Sequence, residues 1–367
     1  MACPDGPPVR RPALVESATG TATVSEAALP GIEPGTVEDW LVHHIDGLSP
    51  PVEFTPIPGG HSNLTYLVTG RERRRVVLRR PPLGELLPGA HDMAREYRAI
   101  SALGPTEVPV PVALGFCDDH DVTGASFYVM SFVEGHVLHN ERVAVEVYGP
   151  ETRHRVGLSL AETLDALHSV DVDAAGVGNL GRREDYVGRQ LKRWFRQYDA
   201  SRAMPVPLVD ELYESLLPAR PEQQKASLVH GDYRLGNCIT DGDGEIAAIL
   251  DWEICTLGDP LADVGYMLVT WAEPGDEHQG ISMAPSMAPG FATKGELLER
   301  YASASDLDLS QIRFYTAFNH WKSACINEGV YARYVKGQKP TAGVDVDAIG
   351  AAVEVQARLA AQVLDST

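Results

Sequence analysis

The sequence predicts an α+β chain in which strands dominate the first part and helices the second. Two observations carry this prediction. Within residues 54–133, short runs rich in β-branched and aromatic residues alternate with turns bearing Gly and Pro. From Val137 onward, apolar residues recur mainly at helical spacing. A third observation marks the functional stretch. Residues 228–252, LVHGDYRLGNCITDGDGEIAAILDW, interrupt the helical part with short apolar arms around an Asp-Gly-Asp-Gly turn.

The 367 residues suffice for one large or two medium domains with a substantial core. The formal net charge of −20 and a pI near 5.0 argue against nonspecific nucleic-acid binding and against an anionic membrane surface. The same balance is compatible with a cationic substrate. No apolar run approaches the length of a membrane span, and no secretory pattern opens the chain. The five cysteines are scattered, without a C-x-x-C pair. They are expected to be free thiols in a reducing cytoplasm.

Taken in order, residues 1–35 are rich in Pro, Gly, Ala and Thr without sustained periodicity, so a mostly disordered leader or a loosely docked arm is expected. Thr36, with Asp39 three residues on, is the expected N-cap of a short helix over 37–45. Residues 54–68 read as strand, turn, strand. Gly59 and Gly60 allow close backbone approach to a bound group, and Ser62 and Asn63 add side-chain donors suited to phosphates. Residues 75–80 form a strand that ends on Arg79 and Arg80; alternation lets only one of the two face a ligand. Residues 90–103 carry helical periodicity, and residues 125–133 form a further strand. Residues 156–170 and 186–198 are expected helices. His168 is read as a structural helix-end residue, and Trp194 and Phe195 mainly as core, with the wall of an acceptor pocket as the alternative.

In the central stretch, Asp232 and Asp251, with Asn237 five residues after the first, are expected on the arms of one hairpin. This is the set of groups that phosphoryl transfer needs. One carboxylate accepts the proton of an attacking hydroxyl, and hard oxygen ligands hold Mg²⁺. Asp232 suits the base, and Asn237 and Asp251 the metal. Arg234 lies where it would neutralise charge on the transferred group. Further on, Asp259 and Pro260 suit the cap and first position of a helix. Residues 274–290 read as a long loop, and residues 314–337 and 344–364 as helices. Trp321, Lys322, Asn327 and Arg333 are candidates to reach an acceptor.

HGDYRLGN followed by ILDWE and GDPLADVGYML resembles the aminoglycoside phosphotransferase and choline kinase family, and within it the kinase-like domains related to those of acyl-CoA dehydrogenases. The resemblance covers roughly residues 54–337. It implies a two-lobed protein-kinase-like fold, with a small antiparallel-sheet lobe over 36–133 and a larger, mainly helical lobe over 134–367. It further implies that ATP and Mg²⁺ are bound and that the acceptor is a hydroxyl of a small molecule. Arg79, with Arg80 as its rival, then stands where the family has a phosphate-binding Lys, paired with Glu96. Backbone groups at Ser131, Phe132 and Val133 match the hinge that meets adenine. Asp263 and His230 match residues that steady the catalytic loop. Acceptors in the family range from antibiotics to choline and hydroxyacyl groups, and the Lys-to-Arg departure leaves open a nucleotide binder with little transfer activity. The oligomeric state is not legible.

Overall fold

The computed structural model describes residues 29–58, 63–84, 91–276, 284–341 and 343–366. Gly59, Gly60 and Ser62, expected to lie over phosphates, fall outside the described residues. The first part runs α1 (Pro34–His44), β1 (Glu53–Pro56), β2 (Leu64–Thr69), β3 (Arg75–Arg80), α2 (Met93–Leu103), β4 (Ala113–Cys117), α3 (His120–Thr123) and β5 (Phe127–Ser131). The strands form one sheet in the order β1-β2-β3-β5-β4, with every neighbouring pair antiparallel.

Alternation along β3 sorts this lobe into two faces. Val76 and Leu78 pack with Val37 and Leu41 of α1 and with Phe127, whose ring meets Trp40 edge-on. Burying each of these aliphatic side chains contributes roughly 1.5–3 kcal/mol. Val77 belongs to the opposite face and to the large core that continues into the second part of the chain. Arg80 follows Val76 and Leu78. It is buried, donates to the Thr123 carbonyl at 2.7 Å, and bonds the Gly31 carbonyl. The rival for the phosphate position is therefore a structural cation on the far face.

Of the expected leader, residues 1–28 fall outside the described residues and the docked alternative holds for the rest, while the helix start changes. Residues 29–35 are docked: Ile32 is buried, the Tyr66 hydroxyl donates to the Pro30 carbonyl at 2.6 Å, and Arg80 holds Gly31. The helix begins at Pro34, ahead of the expected Thr36 cap, because proline's fixed φ suits the first helical turn.

The second part contains α4 (Glu141–Val147), α5 (Pro150–Ser169), α6 (Tyr186–Ser201), α7 (Pro207–Ala219), β6 (Ser227–Val229), β7 (Cys238–Thr240), β8 (Ile246–Ile249), β9 (Thr256–Gly258), α8 (Pro260–Thr270), α9 (Lys294–Ala304), α10 (Ile312–Val335) and α11 (Val346–Asp365). β7 and β8 form the expected hairpin, and Asp241 Oδ1 holds its turn by accepting from the Asp243 and Glu245 amides. β6 is not an arm of that hairpin; it pairs with β9. Asp232 thus lies on the loop leaving β6, while Asn237 and Asp251 flank the hairpin itself. The segment leaving the first part is pinned to the hairpin of the second where His136 and Thr240 exchange backbone hydrogen bonds of 2.8 Å. Gly135, at φ +145°, is required there because a side chain would collide with the Thr240 carbonyl.

Candidate active site

Two cavities meet at the loop that carries Asp232. One cleft, about 300 Å³, is lined by Val77, Tyr128, Met130 and Ile249, with Arg79, Asn237 and Asp251 at its polar end. The other, about 530 Å³, is lined by Asp232, Arg234, Tyr266, Lys322 and Trp194 among others. His139 and Gly236 line both. Asn237 Nδ2 donates to Asp232 Oδ2 at 2.8 Å, so a single hydrogen bond spans from one cavity to the other.

The loop is held from several sides. Asp263, at the start of α8, accepts from the His230 amide at 2.6 Å and the Gly231 amide at 2.9 Å. Burial pushes the Asp263 carboxyl up, but His168, the His230 ring and the His230 amide outweigh it and hold it below the ordinary value. His168 stands 3.6 Å from Asp263 and is bonded to the Tyr301 hydroxyl at 2.8 Å, which accords with a structural role. His230 Nε2–H donates to the Leu250 carbonyl at 2.8 Å, and its Nδ1 accepts from the Asp232 amide at 3.2 Å. One imidazole therefore ties the start of the loop to the strand end that delivers Asp251. Both residues sit where the family resemblance put loop supports.

Asp232 keeps both oxygens engaged. The Tyr266 hydroxyl donates to Oδ1 at 2.5 Å, and Arg234 Nε lies 3.4 Å from the same oxygen. Asn237 spends both amide hydrogens on Asp232, one on the backbone carbonyl at 2.9 Å and one on the carboxylate. Its Oδ1 is the atom left for a metal. Asp251 has φ +68°, a left-handed conformation that strains a non-glycine residue and aims its carboxylate at the cleft.

Arg79 reaches the same point from β3. Its Nε lies 3.0 Å from Glu96 Oε2, and its Nη2 bonds Asp251 Oδ1. Burial pulls on the guanidinium, but Glu96, Tyr128, Asp251 and Glu253 outweigh it, so the cation is held more firmly than in water. Glu96 is fully buried on α2 and accepts from the Tyr128 hydroxyl at 2.9 Å. Burial raises its pKa to about 7, partly countered by Arg79.

Two expected ligand groups are differently employed. The Asn63 side chain is buried; its amide donates to Glu96 Oε1 at 3.2 Å and to Glu253 Oε2 at 3.3 Å, and its Oδ1 meets His91 Nδ1 at 2.9 Å. Both Asn63 donors are used on these carboxylates. Ser131, Phe132 and Val133 all line the cleft, and the Ser131 amide is already bonded to the Val112 carbonyl at 2.9 Å. Among the acceptor candidates, Lys322 and Asn327 line the larger cavity. Trp321 is core, donating to the Val209 carbonyl at 2.9 Å, and Arg333 lies exposed outside the cavity. Trp194 lines the cavity, whereas Phe195 stacks on Tyr213.

Sequence reasoning missed Glu253, Tyr128, His91 and Tyr266. Glu253 sits two residues past Asp251 in Asp-Trp-Glu, and with Glu96 and Asp251 it brings carboxylate oxygens within 4.8 Å of one another. Its spacing was a signal. The others come from distant elements and leave no local pattern.

The model of the phosphotransferase enzyme family (APH) matches residues 53–304. The chain belongs to that family. A solved structure of a putative aminoglycoside phosphotransferase from Ralstonia eutropha is 29% identical, with a TM-score of 0.77 over 90% of this chain and 97% of that one. A choline kinase from Cryptosporidium parvum, 12% identical with a TM-score of 0.60 over 90% and 96% of the two chains, shares the fold. The two-lobed kinase-like architecture is thereby established. Mouse acyl-CoA dehydrogenase family member 10 is 33% identical over 83% of this chain and 29% of its own length. A probable acyl-CoA dehydrogenase, IBR3, of Arabidopsis thaliana is 35% identical over 78% and 37%. The chain thus spans about a third of the length of these relatives. As a phosphotransferase-family member it has, among the described residues, no helix long and apolar enough to cross a membrane.

Proposed function

We propose that the chain transfers the γ-phosphoryl group of ATP to a hydroxyl of a small molecule. The observation that carries this reading is the junction itself: Asp232 faces the larger cavity, while its hydrogen-bond partner Asn237 faces the cleft with Asp251 and Arg79. The donor set fits the cofactors. The cleft is apolar where a base would lie and polar at its inner end. Asn237 Oδ1 and Asp251 are hard oxygen ligands of the kind Mg²⁺ takes. ATP supplies the phosphoryl group, and Mg²⁺ the positive charge that neutralises it. Phe132 and Val133 border the base position, and Arg79, fixed by Glu96, meets the phosphates with a planar guanidinium. Asp232 orients the acceptor hydroxyl and accepts its proton. Arg234, on the exposed side of that carboxylate, stabilises charge as the phosphoryl group moves.

The cavity also favours one kind of acceptor. Arg193, Arg234 and Lys322 line it, and Asp232 is its one acidic residue among the described residues. A polycationic acceptor would meet these charges unfavourably. A neutral or anionic hydroxy compound, such as a hydroxyacyl metabolite, suits them better than an aminoglycoside or choline.

Calorimetric titration with ATP, with and without Mg²⁺, tests the reading. Binding should depend on Mg²⁺ and be lost in Asp251→Ala. Folded protein that binds no ATP under any condition would sink it.

A further inference from the structure

Resting on the phosphotransferase reading, we propose that Tyr266 and Lys322 are positioning residues, Tyr266 for the proton-accepting carboxylate of Asp232 and Lys322 for the peptide that carries it. Tyr266 follows Asp263 by three residues, which puts both on one face of α8. Asp263 grips the loop backbone through the His230 and Gly231 amides. One turn on, Tyr266 grips the carboxylate itself at 2.5 Å. A single helix therefore sets both the path of the loop and the rotamer of its functional side chain. A hydrogen bond to an ionised oxygen is about twice as strong as a neutral one. With Asn237 on Oδ2, it leaves the carboxylate little freedom to turn away from the acceptor cavity.

Lys322 completes the clamp from α10. Tyr315, Asn319 and Lys322, spaced i, i+4, i+7, form one stripe of that helix. The Tyr315 hydroxyl donates to Asp259 Oδ2 at 2.7 Å, and Asn319 to the Ala262 carbonyl at 2.9 Å. The Lys322 ammonium donates to the Gly231 carbonyl at 3.2 Å. Gly231 is thus held at its N–H by α8 and at its C=O, in the peptide that leads into Asp232, by α10. Lys322 also lies 4.9 Å from the Tyr266 ring centre, so the two clamps touch. A lysine 7% exposed at the wall of a cavity is costly to bury, and core packing alone would be served by methionine.

The test reads ADP release from Mg-ATP with water or glycerol as acceptor. Tyr266→Phe and Lys322→Met should each lower kcat by about ten- to a hundredfold, with KM for ATP unchanged. In an Asp232→Asn background, Tyr266→Phe should cost nothing further, because both act through one carboxylate. A merely structural role predicts losses that multiply. Tyr266→Phe within twofold of the unaltered kcat, or multiplicative losses, overturns the proposal. Tyrosine labelled with ¹³C at Cζ gives a second measurement, independent of turnover. The resonance absent from Tyr266→Phe should shift in Asp232→Asn, and a resonance that stays put overturns the contact. ATP binding without any turnover by the unaltered protein overturns the transfer reading, and the positioning role with it.

Discussion

Arg79 and Arg80 are adjacent and chemically identical, yet the pleat of β3 sends them to opposite faces of the sheet. Arg79 meets Glu96 and Asp251 in the cleft; Arg80 meets the Gly31 and Thr123 carbonyls beneath α1 and α3. The two positions should fail differently. Arg79→Ala should weaken ATP binding by tenfold or more and, because it leaves the buried Glu96 carboxylate without its cation, lower the melting temperature as well. Arg80→Ala leaves buried carbonyls without a donor and should cost about 1–3 kcal/mol in denaturant unfolding, with ATP affinity kept. The reverse pattern would mean that the assignment of faces is wrong. At this scale the sequence was informative where chemistry is local. Asp232, Asn237 and Asp251 lie within twenty residues of one another, in an order that few other chemistries require. The bracing contacts of Asn63 were not legible because its partners, Glu96 and Glu253, are far along the chain, and a free amide and a bracing amide look alike in sequence.

Among the elements, α8 and α10 decide how the loop sits. Gly265 lies where a Cβ would stand 2.7 Å from the Tyr315 backbone, so its missing side chain lets the two helices approach. That approach brings the stripe of Tyr315, Asn319 and Lys322 onto α8 and the loop. Gly265→Val should force the helices apart, costing about 1–3 kcal/mol as an overpacked contact. It should also depress turnover more than ATP binding, because the nucleotide cleft is on the far side of the loop. Equal stability by chemical denaturation would show that the helices have slack. The elements themselves were largely legible: periodicity marked α2, α5, α6, α10 and α11, and Asp259-Pro260 marked the start of α8. The pairing of β6 with β9 was not. A strand of three residues carries no register information, and the Asp-Gly-Asp-Gly turn pointed to its own hairpin alone. The contacts that dock residues 29–33 were hidden for a related reason, since carbonyls held by Arg80 and Tyr66 leave no side-chain pattern.

For the molecule as a whole, the lobes are distinct in secondary structure but not in core. Val77, Ile100, Leu103 and Tyr128 of the small lobe belong to the same buried cluster as Leu228, Ile249 and Trp252 of the large one. Polar links reinforce this continuity. Arg95 on α2 donates to the Cys255 carbonyl at 2.7 Å and the Leu180 carbonyl at 3.0 Å, and the Ile249 amide donates to the Pro109 carbonyl at 2.9 Å. A small lobe separated from this surface would expose Ile100, Leu103 and Tyr128 and strand Glu96 without its surroundings. The two lobes should therefore unfold together. Scanning calorimetry of the whole chain should give one endotherm whose calorimetric and van't Hoff enthalpies agree. Weakening the link by Arg95→Ala should lower its midpoint without splitting it. Two resolved endotherms would show that the cleft is a boundary between independent domains. Motion between the lobes would then be cheap, and the alignment of Arg79 with Asp251 would have to be supplied by the nucleotide. A single transition places that alignment in the fold itself, because the core that holds α2 against the large lobe also holds Glu96 against Arg79.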